Sequence, residues 1–299
     1  MNPSFTSPLD RSLKQIWPSL QRLDVHVQIL GGYGLLLKQK WLRDQEGTVP
    51  HFIPMASWTG ESISRTTKDM DMGISPSLIA SIEAQGQIQE LLTHQGFVPD
   101  PDPNNRRWAW DGGVDIELEF HVPPPPPSLK DQLATDRMRV KNLSLRGRNY
   151  GIHGRTNPEL LGFKHHFSFE YDGLLLTVPN VLTAVMMKLA AFKQRLLSYQ
   201  KEPVARKGNY SQAEKHARDV FRAVAMETEE DLRMFPGILW EVSESPLYQD
   251  CQGIIRDYFS SPGQEGFDFV SGFWTPVSPQ QTLKISRLQN KHPVLHPRM

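Results

Sequence analysis

The chain has 299 residues, enough for two domains or one large domain with elaborations. Lys+Arg and Asp+Glu both number 33, so bulk charge does not point to nucleic acid, and 38% hydrophobic with 22% charged residues is ordinary for a soluble globular protein. Cys251 is the only cysteine, which excludes an internal disulfide and a cysteine-based zinc site and fits a reducing, cytoplasmic setting. No run approaches the roughly 18 consecutive apolar residues of a membrane span, and the N-terminal residues do not read as a secretory signal.

In chain order, residues 12–23 predict a helix with Leu13, Ile16, Trp17 and Leu20 on one stripe. Residues 25–30 alternate like a strand and run into Gly31 and Gly32, after which residues 33–41 predict a second helix. Strand, glycine pair and helix start is the layout of a phosphate-approach site, because glycine admits close backbone approach and helix-start amides favour an anion. Residues 44–62 are polar and contain proline and glycine, which reads as a loop or insertion.

Residues 65–73 read Arg-Thr-Thr-Lys-Asp-Met-Asp-Met-Gly. In a strand, side chains alternate between faces, so Asp69 and Asp71 point one way and Met70 and Met72 the other. Two carboxylates on one face repel and lose solvation unless a cation sits between them. Magnesium suits such a site, since it takes oxygen ligands from one or two carboxylates and substrate phosphates.

Further along, residues 76–95 predict a helix and residues 106–110 and 114–122 predict strands. In the second of these, Asp115, Glu117 and Glu119 share a face. Five consecutive prolines from Pro123 to Pro127 form a stiff connector. The basic, glycine-containing stretch 137–155 is a candidate for contact with RNA backbone, and residues 163–178 predict strands around a turn at Asp172 and Gly173. Residues 179–199 predict a strong helix with Lys188 in a gap of its apolar stripe. Helices over 210–226, over 229–240 with an interruption at Pro236, and over 246–259 follow; from 260 onward an irregular tail is expected. The histidines, including His165 and His166, show no ligand spacing and read as structural.

The order strand, glycine pair, helix, D-x-D strand, further acidic strand and helical half resembles the nucleotidyltransferase superfamily, and more narrowly the AbiEii-type nucleotidyltransferases of bacterial abortive-infection and toxin–antitoxin systems. Residues 65–71 are similar to that family's Arg-x-Thr-x-Asp-h-Asp, where h is apolar. Residues 178–191 are similar to its strand-Pro-helix segment with a functional lysine, and residues 215–219 to its later Lys-Asp element. Where the family often carries a second acid after that element, this chain has Arg222.

The resemblance implies an α+β nucleotidyltransferase-like catalytic domain over 1–178, a helical domain over 179–261 and an irregular tail over 262–299. It implies metal-dependent transfer of a nucleoside monophosphate from an NTP to an RNA or protein acceptor, the tRNA 3′ end for some toxin members, with a cognate antitoxin protein as a possible partner. Asp69, Asp71 and Asp115 would then hold Mg2+ or Mn2+, with Glu117 as the rival third ligand. Gly31, Gly32, Arg65 and Lys188 would bind the nucleotide, and Asp219 would orient Lys188. Two other classes compete: a non-catalytic nucleotide- or RNA-binding protein of the same fold, and a D-x-D glycosyltransferase using a nucleotide sugar. Against the latter stand the short interval from glycine pair to acids and the lysine-bearing helical half.

Overall fold

A computed structural model describes residues 7–23, 26–45, 48–53, 55, 69–99, 107–110, 116–136, 139–145, 152, 154–156, 158–204 and 206–271. The fold is α+β and divides into two compact units, one of Met1–Asp44 with Thr66–Pro179 and one of Gln45–Arg65 with Asn180–Met299.

The first unit opens with α1 (Pro8–Gln21), which starts earlier than its apolar stripe suggests because Ser7 and Asp10 close a capping box. The strand β1 (Val27–Ile29) then runs directly into α2 (Gly31–Asp44), so the glycine pair forms the first turn of the helix rather than a turn ahead of it. Asp10 is buried and ties the two helices together, accepting from Tyr33 Oη at 2.8 Å and Lys40 Nζ at 2.9 Å. Burial alone would raise its carboxyl, but hydrogen bonds from Lys40, Tyr33 and Ser7 and the charge of Lys40 hold it below the usual carboxylate range.

The D-x-D segment is β2 (Asp69–Ile74), paired antiparallel with β1. The helix expected over 76–95 is two helices, α3 (Pro76–Ala80) and α4 (Ile82–His94). Ser81 breaks them: it takes an extended ψ of 110°, and its side chain accepts from Ala84 N at 3.1 Å to cap the second. The hairpin partners β3 (Phe97–Pro99) and β4 (Arg107–Trp110) lead to β5 (Glu117–Val122), which pairs parallel with β2. The other edge of β5 is shared by β4, antiparallel, and by β8 (Gly154–Thr156), parallel. The sheet continues through β7 (Arg139–Asn142) to β6 (Leu133–Asp136). A separate hairpin of β9 (His166–Tyr171) and β10 (Leu174–Pro179) turns at Asp172 and Gly173, both with positive φ, the conformation a tight two-residue hairpin turn requires.

The second unit is helical: α5 (Val181–Lys201), α6 (Lys207–Ala225), α7 (Glu229–Val242), α8 (Pro246–Tyr258) and α9 (Glu265–Ser271). A capping box of Thr228 and Asp231 starts α7, which runs through Pro236 without the expected interruption. The segment read as an insertion belongs here: Phe52 N donates to Glu227 O at 2.9 Å and Ile53 N to Ala225 O at 3.0 Å. Part of the expected irregular tail is helical, as α9, and residues 272–299 lie outside the described residues. Among the described residues, no helix is long and apolar enough to cross a membrane.

Candidate functional site

On β2 the pleat separates the side chains by chemistry. Met70 and Met72 are fully buried, whereas Asp69 is exposed and Asp71 half-buried. Each buried methionine contributes about 1.5–3 kcal/mol, which fixes the strand's register and thereby aims both carboxylates at the opposite face. Parallel pairing sets Asp69 opposite Glu117, Asp71 opposite Glu119 and Gly73 opposite His121. Residues opposite one another in a parallel pair share a face, so the acids of β2 and β5 and the imidazole of His121 converge.

The closest group is Asp71, Glu119 and His121, each offering one ligand atom, with all three atoms within 4.8 Å of one another. His121 Nε2 lies 3.4 Å from Asp71 Oδ1 and 3.9 Å from Glu119 Oε2. Both ring nitrogens of His121 are buried and make no hydrogen bond among the described residues. An unsatisfied buried polar atom costs about 1–3 kcal/mol, and facing carboxylates repel; a cation between these groups would relieve both. The three residues can therefore hold a metal ion. Glu159 lies within electrostatic range of the same imidazole: burial raises its carboxyl above the usual carboxylate range, more than its own backbone amide, Arg155 and His121 lower it.

The start of α2 adjoins this cluster. Leu30 N donates to Asp71 O at 2.7 Å, and the next residue, Gly31, has φ +64°. A Cβ on Gly31 would sit 2.1 Å from Asp71 Oδ2, so only glycine fits both the backbone angle and the space. The first intrahelical bond runs from Gly34 N to Leu30 O at 3.0 Å, which leaves the amides of Gly31, Gly32 and Tyr33 ahead of it. A helix start of this kind attracts anions.

Lys188 and Asp219 belong to the second unit, where the structure brings them together. Lys188 Nζ on α5 is 2.9 Å from Asp219 Oδ2 on α6, and Arg222 Nη1 donates to Asp219 Oδ1 at 3.0 Å. Asp219 is fully buried, and Arg222, standing where the resembled family often has an acid, serves as its second cation.

Asp115 and Arg65 lie outside the described residues. Glu117, the rival third ligand, stands opposite Asp69, and the acid grouped with Asp71 is Glu119. The reading of every histidine as structural passed over His121. Its signal was present: Asp115, Glu117, Glu119 and His121 follow one another at period two, so the imidazole extends the acidic face of the strand.

The fold and site thus define an α+β protein with a carboxylate–imidazole group against a glycine-opened helix. Comparison with protein-family models, curated proteins and solved structures finds no match.

Proposed function

We propose that this chain is a divalent-metal-dependent nucleotidyltransferase that moves a nucleoside monophosphate from an NTP to an acceptor hydroxyl. The observation that carries the reading is the approach of Gly31 to Asp71, which puts helix-start amides beside a carboxylate of a cation-holding group. A triphosphate needs both at once, amides for its oxygens and a cation for its charge. The sequence resemblance supports the same reaction.

Asp71 and Glu119, with Asp69 at the rim, would hold Mg2+ or Mn2+, which would supply neutralisation of the phosphoryl oxygens. Gly31 and Gly32 would admit the phosphates to the backbone, and Asp71, whose carboxylate lies beside Gly31, would keep the ion next to them. The acceptor oxygen attacks the α-phosphorus, the bond to the bridging oxygen breaks, pyrophosphate leaves and the hydroxyl proton passes to solvent. Positioning and charge supply most of the catalysis in such a transfer. The acceptor is an RNA, the tRNA 3′ end foremost, or a protein, and the setting a toxin–antitoxin or phage-defence system.

Incubation with each α-labelled NTP, total RNA and either ion tests this directly. Label appears in RNA or in protein and disappears with Asp71→Asn. Binding of nucleotide or RNA without transfer under any ion would favour the non-catalytic reading, and binding of neither, with no transfer, would refute both.

A further inference from the structure

We infer that His121 is a metal ligand and that the Asp71, Glu119 and His121 group selects a first-row transition ion such as Mn2+ over Mg2+. The inference rests on the cation site in the proposed function and not on the transfer step. Four observations carry it.

The imidazole is nine-tenths buried, its side chain 9% exposed, and Nε2 faces both carboxylates. Neither ring nitrogen makes a hydrogen bond among the described residues, so Nε2 meets the two carboxylates only at ion-pair distance. Ligands about 2.1 Å from one metal lie about 3.0–3.5 Å apart when adjacent; the 3.4 Å from Nε2 to Asp71 falls in that range, and the 3.9 Å to Glu119 is a few tenths of an ångström longer, which a small side-chain rotation closes. Strand β2 places no side chain opposite the imidazole, since the register partner of His121 is Gly73.

The ligand chemistry then sets the preference. Mg2+ takes oxygen ligands and keeps its waters, whereas imidazole nitrogen suits the first-row transition ions. Replacing one oxygen of an all-carboxylate set by Nε2 therefore weakens Mg2+ relative to Mn2+, Co2+ and Zn2+.

The test is titration of the full chain with Co2+, read by visible absorption at one fixed pH without nucleotide, followed by competition with Mg2+. The wild type binds one Co2+, and Mg2+ displaces it only at about 100-fold excess or more. His121→Asn lowers Co2+ affinity about tenfold or more while Mg2+ affinity changes by less than about threefold. Glu119→Gln weakens both ions. A readout that needs no variant is the paramagnetic shift of one histidine's ring protons when Co2+ binds the wild type. Absence of that shift, displacement by equimolar Mg2+, or an unchanged Co2+ to Mg2+ ratio in His121→Asn would overturn the inference. Co2+ binding through His121 without nucleotide transfer upholds it and removes the proposed reaction. Transfer with unchanged ion preference in His121→Asn does the reverse.

Discussion

In the second unit, Asp219 is buried between two cations, Lys188 at 2.9 Å and Arg222 at 3.0 Å. In the first unit, Asp71 and Glu119 are register partners, and the imidazole of His121, two residues beyond Glu119 on β5, lies 3.4 and 3.9 Å from them. The former set contains its own opposite charges, and burial makes each member depend on the others. The latter gathers acids and an imidazole, a set that can hold a metal ion. Charged clusters of similar size thus call for different experiments: one is tested by stability, the other by what it binds.

The largest effect is expected at the buried ion-paired cluster. Asp219→Ala leaves Lys188 and Arg222 without their shared carboxylate and lowers stability by about 3–5 kcal/mol in chemical denaturation. A loss below about 1 kcal/mol would break the contrast, because the network would then be as weak as a surface pair. At the carboxylate–imidazole cluster the sign differs. Mn2+ at about 100 times its dissociation constant raises wild-type stability by about 2.7 kcal/mol, and Asp71→Asn abolishes that gain while changing metal-free stability by less than about 1 kcal/mol. Thermal melts with and without the ion read both quantities.

Gly31→Ala comes next. The φ of +64° and the approach to Asp71 Oδ2 make any side chain there strained, which lowers stability by about 1–3 kcal/mol and weakens Mn2+ binding together with it. Unchanged Mn2+ affinity in a folded Gly31→Ala protein would separate the helix start from the metal.

The other histidines sharpen the comparison within the first unit. Burial, with the charge of His166, lowers the basicity of His26, and burial, with the charge of His165, lowers that of His166. Their folded pKa values lie below the unfolded value near 6.5, so the unfolded chain binds more protons as pH falls. The stability that these residues contribute is therefore full above about pH 6.5 and is lost as pH falls through and below that value. Denaturation midpoints across that window should show the loss, and His26→Phe should flatten it; a slope of opposite sign would contradict the burial of neutral rings. The smallest effect is at the exposed pair of Glu202 and Arg206, 2.8 Å apart, where Glu202→Ala costs about 0.3–0.5 kcal/mol.

Much of this was legible because strand alternation is local. Asp69 and Asp71 against Met70 and Met72 can be sorted by counting, and burial follows that count. The approach of His121 to Asp71 was harder to read, because period two puts His121 on the face of Glu119 but only the parallel register with a strand distant in sequence brings Asp71 to it. The break at Ser81 was hidden by an apolar stripe that continues across it, although the serine is a recognisable cap once the break is known. The hydrogen bonds of Phe52 and Ile53 to the carbonyls of Glu227 and Ala225 are made by backbone groups, which leave no mark in the sequence.

The most direct measurement is a crystal structure with Mn2+ and a non-hydrolysable NTP analogue, read by anomalous scattering. The expected result is one manganese peak bonded to Asp71, Glu119 and His121, with phosphate oxygens against the amides of Gly31 and Gly32. Manganese bound away from those three side chains, or a nucleotide bound away from the start of α2, would contradict it.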